Sequence, residues 1–193
     1  MAARSLTRDL VVGAAVDLVD ERQLYDVGIS SVAESLGVQP SALYHHVENL
    51  EALRTAVAAV AVERLAEVLR DAAVGRSGAD AVRPIADAYR MFANEHAGLY
   101  SFTVSVATED PARSAASRRV VDILRQVLEG WGVTGDRSVH GARVLRSALH
   151  GFVTLEYAGD FVLDQDPDDS FEQLVEMLVE SLGRLAVLEA ANS

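Results

Sequence analysis

The chain of 193 residues contains no cysteine and no lysine. Without cysteine, disulfides, thiolate metal ligands and thiol nucleophiles are all excluded. Long apolar runs are missing as well, and a run such as 56–62 is far too short to span a bilayer. No charged N-terminal segment leads into an apolar stretch, so we expect no secretory signal and no membrane partner. The default expectation is a cytoplasmic protein with a sizeable core, since half of its residues are apolar.

Positive charge is scarce along the whole chain. The 17 basic residues are all arginine and face 29 acidic residues, which gives a formal net charge of −12. Residues 1–54 carry four arginines against eight acidic residues. DNA-binding proteins usually carry a basic surface, so this balance counts against nucleic-acid binding. It does not forbid such binding, because charges beyond a Debye length of ~8 Å are largely screened.

The spacing of the apolar residues predicts an all-α fold. Apolar residues recur at steps of three and four, and the alternation typical of strands is scarce. We expect about nine helices: one around 10–18, two short ones separated at 36–38, and others over about 50–72, 79–95, 99–105, 112–130, 136–157 and 170–190. The segment 75–78 is the best linker in the chain. We place the boundary between an N-terminal domain, 1–65, and a C-terminal domain, 66–193, near it.

Residues 28–47 have the pattern of a helix-turn-helix. Ala33 is small where two helices would cross, and Gly37 can adopt the left-handed conformation that ends a helix. Pro40 suits the first position of the next helix, and Leu43 and Val47 face inward together. The outward residues are then Gln39, Ser41, Ala42, Tyr44 and His45. Such a second helix can enter the major groove of DNA, although an ordinary helical hairpin in a bundle has the same pattern.

The same segment resembles the tetracycline-repressor-like (TetR) family of transcriptional regulators. The matching residues are Arg8, Ala14-Ala15, the run 32–38 (VAESLGV), the run 43–47 (LYHHV) and Asn49 with Leu53. They cover about a third of the chain, within residues 4–65, in the order and spacing of the family. The resemblance implies a regulator that binds a pseudo-palindromic double-stranded DNA operator as a homodimer and most commonly represses.

The resemblance also assigns roles to individual residues. Tyr44 would bond a backbone phosphate, and the helix beginning at Leu50, capped by Asn49, would offer its amides to another. The residues implied in DNA binding are Arg4, Arg8, Gln39, Pro40, Ser41, Ala42, Tyr44, His45, His46 and Asn49.

Four residues depart from the family pattern. The family usually has Lys in place of Leu50, Thr in place of Gly28, Gly in place of Gln23 and Phe in place of Val47. Gly28 is a weaker helix cap, for which we expect a capping box of Ser31 and Glu34 to substitute. The missing lysine removes a phosphate contact and leaves Arg4 and Arg8 as the phosphate partners at the N-terminus. We therefore predict a shallow salt dependence of DNA binding.

The C-terminal two-thirds resembles a subclass of the family known for an LHG- or WHG-type motif. The matching segments are 88–93 (AYRMFA), 96–100 (HAGLY) and 148–156 (ALHGFVTLE). In the family this region binds a small effector and dimerises. Aromatic and polar residues here predict a mainly apolar effector cavity, although a packed core is the alternative. The cavity candidates are Tyr89, Phe92, His96, Tyr100, Phe102, Arg146, His150 and Tyr157.

The last two helices have apolar stripes wider than one neighbour needs. Two such helices from each chain would form a four-helix dimer interface, and packing within one chain is the alternative. The interface candidates are Leu145, Leu149, Phe152, Phe171, Leu174, Leu178 and Leu182.

No motif for catalysis, a cofactor or a metal is present. The chain has no Gly-x-Ser-x-Gly elbow, no pair of Glu-x-x-His motifs and no glycine-rich phosphate loop. His45 and His46 are adjacent and would point about 100° apart on a helix, so we expect no metal there. We expect no enzyme. The alternatives to a regulator are a small-molecule carrier or sensor and a protein–protein adaptor, each with a vestigial DNA-binding domain.

Overall fold

The computed structural model describes residues 5–104 and 110–190, and all regular secondary structure in these residues is helical. Nine helices lie in this part of the chain: α1 (Arg8–Glu21), α2 (Ile29–Leu36), α3 (Pro40–Leu43), α4 (Leu50–Ala73), α5 (Ala79–Glu95), α6 (Ala97–Thr103), α7 (Pro111–Glu129), α8 (Gly135–Ala158) and α9 (Pro167–Ala190). The all-α prediction is confirmed. None of these helices is long and apolar enough to cross a membrane.

The chain divides into two compact units. Unit 1 consists of residues 1–64 and 96–117, and unit 2 of residues 65–95 and 118–193. Unit 1 therefore contains α6 and the beginning of α7 in addition to the N-terminal helices. Helical periodicity along the sequence does not indicate this grouping, because it depends on which helices pack together in space.

In unit 1 the sequence sets the ends of α1 and α2. Thr7 caps α1, since its Oγ1 accepts the Leu10 N–H at 3.3 Å. Gly28 caps α2, and the Ser31 Oγ accepts the Gly28 N–H at 3.3 Å and donates to the Gly28 carbonyl at 2.8 Å. The predicted capping box of Ser31 and Glu34 is therefore wrong. Ser31 is the third residue of α2 and bonds back to Gly28, so it cannot also be the cap.

The turn of the helix-turn-helix has the predicted conformation. Gly37 ends α2 with φ of 66°, and the Val38 N–H donates to the Ala33 carbonyl at 3.0 Å. The sequence pattern placed Leu43 and Val47 on one helix. Helix α3 instead ends at Leu43, and the chain continues to Val47 in hydrogen-bonded turns. Leu43 and Val47 are both buried, so they still anchor this segment to the core.

In unit 2, helices α5, α8 and α9 pack against one another. The core side chains between them include Ile85, Leu145, Leu149, Leu178 and Leu182, all almost fully buried. Helix α9 begins three residues before the predicted position, since Pro167 is favourable at the start of a helix.

A mostly buried arginine joins the three helices of unit 2. The Arg90 guanidinium on α5 forms a two-pronged ion pair with Glu156 on α8 and lies 2.7 Å from an oxygen of Asp168 on α9. It also lies 4.7 Å from the ring centre of Phe171 and 5.5 Å from that of Phe152. The hydrogen bonds to Glu156 raise the pKa of Arg90 above its ordinary value. The sequence shows these residues but not their association.

Candidate nucleic-acid interface

The segment from the end of α2 to the beginning of α4 presents a polar surface in unit 1. Tyr44 is 55 % exposed although its neighbours Leu43 and Val47 are buried. Gln39, Pro40, Ser41 and His45 are exposed, and Ala42 and His46 are half-buried. Because Leu43 and Val47 are buried in the core, the side chains predicted to read DNA face solvent. Their contact with DNA stays a prediction.

The beginning of α4 is fixed by its cap. The Asn49 Oδ1 accepts the Ala52 N–H at 2.8 Å, as expected for a capping asparagine. Leu50, which stands where the family usually has lysine, is half-buried. The nearby Arg54 does not replace that lysine, because its guanidinium forms two hydrogen bonds of 2.8 and 2.6 Å to the Asp26 carboxylate.

Few basic side chains are exposed in the N-terminal part of the chain that the structure describes. Arg8, the first residue of α1, is exposed. Arg4, the other predicted phosphate partner, lies outside the described residues. Glu34, Glu48 and Glu51 are exposed in the same part of the chain and carry the opposite sign. Hydrogen bonds and apolar contacts must therefore provide much of any specificity for DNA.

The predicted effector residues divide between the two units. His96, Tyr100 and Phe102 belong to unit 1 and the other five to unit 2. Tyr100 and Phe102 are buried, and the His96 Nδ1 lies 2.7 Å from an oxygen of Asp20 on α1. Asp20 also binds Arg64 of α4 at 3.3 Å. The imidazole of His96 thus forms part of a polar contact that connects α6 to α1 and α4.

In unit 2, the five remaining candidates differ in exposure. Tyr89 and Phe92 are buried, whereas Tyr157 is 53 % exposed and lies at the surface of α8. Arg146 and His150 are half-buried. Burial, together with the positive charge of Arg146, lowers the pKa of His150, which favours the neutral imidazole at pH 7. A neutral imidazole can donate one hydrogen bond and accept another, as a polar anchor for an uncharged ligand needs.

Most of the predicted dimer residues are used within one chain. Leu145, Leu149, Phe171, Leu178 and Leu182 are buried in unit 2, which leaves them no surface for a partner. Phe152 and Leu174 are half-buried, and the Phe152 ring packs between Phe161 and Phe171 at 5.0 Å from each. The apolar stripes are wide because these helices pack on α5 as well as on each other. Exposed apolar side chains on the same two helices are Val144, Leu155, Met177 and Val187.

A close contact between α1 and α6 was not predicted from the sequence. The Gly98 N–H donates to the Gln23 Oε1 at 3.0 Å. A Cβ atom at Gly98 would lie 2.4 Å from the Val19 carbonyl oxygen and 2.9 Å from the Leu24 nitrogen. Only glycine permits this approach. The signal in the sequence is a glycine just before the helix predicted over 99–105, which is compatible with close packing but does not name the partner.

Comparison with known proteins identifies the family. Residues 82–178 match the family described as "Tetracyclin repressor-like, C-terminal domain". Over 182 residues the chain is 35 % identical to the uncharacterized HTH-type transcriptional regulator Rv0681 of Mycobacterium tuberculosis, with 93 % of this chain and 83 % of that one covered.

Solved structures show the same fold. The transcriptional regulator SCO7222, a TetR from Streptomyces coelicolor, has a TM-score of 0.70 at 21 % identity, with 94 % of this chain and all of that chain covered. A TetR variant from Acinetobacter baumannii in complex with minocycline has a TM-score of 0.69 at 23 % identity, covering 94 % and 99 %. With the helix-turn-helix geometry described above, these matches show that the chain belongs to the TetR family of transcriptional regulators.

Proposed function

We propose that this protein is a ligand-responsive repressor that binds a pseudo-palindromic operator as a homodimer. The observation that carries the proposal is the exposed polar surface of a helix-turn-helix in a member of this family. Gln39, Ser41 and His45 hydrogen-bond to base edges, and the Ala42 methyl contacts thymine methyl groups. Two such heads in a dimer must be about 34–36 Å apart, or a multiple of that distance, to meet successive major grooves.

Phosphate contacts fix the register of the head on DNA. The Tyr44 hydroxyl, the amides at the beginning of α4 and the guanidinium of Arg8 provide these contacts, together with Arg4. The beginning of α4 is suited to this role because Asn49 caps it and holds the first amides in place. Since few of these groups are charged, binding depends weakly on salt concentration.

Replacing Tyr44 with Phe tests the phosphate contact. The substitution removes one hydroxyl and leaves the aromatic ring in place. We expect the operator affinity to fall about tenfold, as for loss of a hydrogen bond to a charged group. Fluorescence anisotropy with a labelled operator measures the effect. The matched control is Tyr157→Phe, since Tyr157 of unit 2 is equally exposed. Equal affinities for the wild type and Tyr44→Phe would contradict the assignment.

The exposed apolar residues of α8 and α9 form the proposed dimer face. Val144 and Leu155 lie about 20° apart round α8, on one stripe, and Met177 and Val187 lie about 80° apart round α9, on one side of that helix. The same side of α9 contains a groove lined by Glu180, Gly183, Arg184 and Val187, into which side chains of a second copy can pack. A second copy that covers both stripes gives the four-helix arrangement common in helical dimers. This face replaces the buried leucines that the sequence pattern indicated.

A charge on the proposed face should separate the subunits. We expect Met177→Glu to raise the dimer dissociation constant at least tenfold, because the carboxylate would be buried without a partner. Sedimentation equilibrium measures the change. Met91→Glu is the matched control, since Met91 on α5 is 54 % exposed and Met177 is 59 % exposed. If the two variants dissociate to the same extent, the dimer face lies elsewhere.

The effector is a small, mainly apolar molecule bound by the C-terminal region. One structural neighbour was solved in complex with minocycline, which supports a ligand site in this fold. The effector acts only through its difference in affinity for two dimer forms, one whose heads match the groove spacing and one whose heads do not. Tyr89, Phe92, Arg146 and His150 are the candidates in unit 2. A carrier or sensor that does not bind DNA is the second candidate, favoured by the half-buried Leu50 and the acidic N-terminal region.

A further inference from the structure

The loop that joins α8 to α9 exposes an unusual run of apolar side chains. Phe161, Val162 and Leu163 are 37, 83 and 76 % exposed. Acidic residues flank this run, with Asp160 before it and Asp164 after it. Two large apolar side chains at a loop tip are unfavourable in water unless another surface covers them.

This loop is held in place by its own contacts. Gly159 ends α8 with φ of 72°, and the Asp160 N–H donates to the Leu155 carbonyl at 3.0 Å. The Phe161 ring packs on Phe152 with 5.0 Å between the ring centres. The anchored ring of Phe161 therefore leaves Val162 and Leu163 projecting away from the core of their own chain.

The opposite end of α8 carries the complementary charge. Arg137, His140 and Arg143 are exposed in its first three turns, and the loop after its last turn is acidic. Asp136, the acidic residue of the first turn, is also exposed but lies about 100° round the helix from Arg137. Helix α8 has 24 residues, so its two ends are about 35 Å apart. The basic end and the acidic loop of one chain cannot meet. They can meet in two chains whose α8 helices run antiparallel.

The stripe of α8 described above sets the register of such a pair. Arg137 and His140 share it with Val144 and Leu155, and the small residues Ala148 and Gly151 lie at its centre. A Cβ atom at Gly151 would meet nothing within 4 Å, so a second helix has room to approach there. If the two antiparallel α8 helices cross midway between Ala148 and Gly151, Val144 of one copy lies opposite Leu155 of the second copy. Arg137 and His140 then extend past the end of the second α8, beside its loop.

We propose that residues 160–164 of each subunit cover the basic end of α8 in a second copy of the chain. The loop buries Val162 and Leu163 against that helix, and Asp160 and Asp164 pair with Arg137 and His140. This contact, which we call the clasp, rests on the proposed dimer through α8 and α9. One clasp forms at each end of the four-helix face. It makes the loop a determinant of which chains can pair, because the charges must match in both directions.

Disulfide trapping tests this proximity directly, because the chain has no cysteine of its own. In Arg137→Cys/Val162→Cys, the two thiols of one chain lie towards opposite ends of α8, far beyond the reach of a disulfide, so a bridge can form only between chains. We expect mild oxidation to give a covalent dimer on a non-reducing gel. Each single variant should stay largely uncrosslinked, because its two copies lie at opposite ends of the pair. Absence of the covalent dimer, or equal crosslinking of a single variant, would overturn the clasp.

A charge-reversal cycle tests the pairing without oxidation. We expect Arg137→Glu and Asp164→Arg each to raise the dissociation constant of the dimer roughly tenfold, and the double variant to recover most of the affinity. Arg118→Glu on α7 is the control and should change little. A dimeric wild type without recovery in the double variant refutes the clasp and leaves the proposed dimer intact. A wild type that is monomeric by sedimentation refutes both.

Discussion

Replacing Gly98 with Ala is expected to destabilise unit 1 by about 2–4 kcal/mol. The added Cβ would lie 2.4 Å from the Val19 carbonyl oxygen and 2.9 Å from both the Gln23 carbonyl carbon and the Leu24 nitrogen. All three are backbone atoms, so no rotation of a side chain relieves the clash. Helix α6 must move away from α1, which also breaks the hydrogen bond from the Gly98 N–H to Gln23. Thermal unfolding followed by circular dichroism should show a midpoint about 5–10 °C lower.

Gly13→Ala is the matched control for this substitution. Gly13 lies inside α1, and a Cβ there would meet nothing within 4 Å. Since alanine favours the helix more than glycine does, we expect Gly13→Ala to stabilise the protein by about 0.5–1 kcal/mol. Changes of the same sign and size in the two variants would show that α6 does not approach α1 as closely as described.

Removing Arg90 is expected to have a comparably large effect on unit 2. In Arg90→Ala, the Glu156 carboxylate, whose side chain is only 18 % exposed, loses its partner, and the rings of Phe152 and Phe171 lose the cation packed against them. Breaking a fully buried pair from one side costs about 3–5 kcal/mol. With the remaining exposure we expect about 2–4 kcal/mol, measured as the free energy of unfolding in urea. The free energy of unfolding of Arg90→Lys should lie between those of the wild type and Arg90→Ala, since an ammonium keeps the charge but cannot form the two-pronged pair.

A second arginine on the same helix gives the control for Arg90. Arg83 also reaches from α5 to α9, where its guanidinium lies 3.2 Å from Glu176, but the two side chains are 46 and 56 % exposed. We expect Arg83→Ala to cost less than about 1 kcal/mol, because exposed pairs are screened by water and salt. If Arg83→Ala and Arg90→Ala unfold at the same urea concentration, burial does not set the strength of these pairs.

The elements of this fold that depend on local sequence were predictable. In the residues that the structure describes, the period of the apolar residues located the helices to within a few residues, and Gly37 and Pro40 located the turn between α2 and α3. The residue types did not predict the cap of α2 correctly. The Ser31 hydroxyl bonds back to Gly28, and not forward along α2 as a capping box with Glu34 requires. Whether Gly28 or Ser31 caps α2 depends on backbone conformation that the residue types alone leave open.

The features that depend on packing in space were not predictable. The width of an apolar stripe does not tell whether Leu145 or Leu182 faces its own chain or a partner, and both proved to be buried within unit 2. The association of Arg90 with Glu156 joins residues 66 positions apart. The contact of His96 with Asp20 joins residues 76 positions apart. A single sequence carries no signal for such pairs, because their residue types are equally common on a solvated helix.

Selection of bound sequences from a random double-stranded DNA pool, at low and at physiological salt, tests the central claim most directly. The proposed function predicts an enriched palindrome whose two half-sites lie about one helical turn, or a multiple of it, apart. The bases in each half-site should change when Gln39, Ser41 or His45 is substituted. If low salt gives no enrichment while the folded dimer still binds apolar ligands, the DNA-reading account is contradicted and the carrier is the better description.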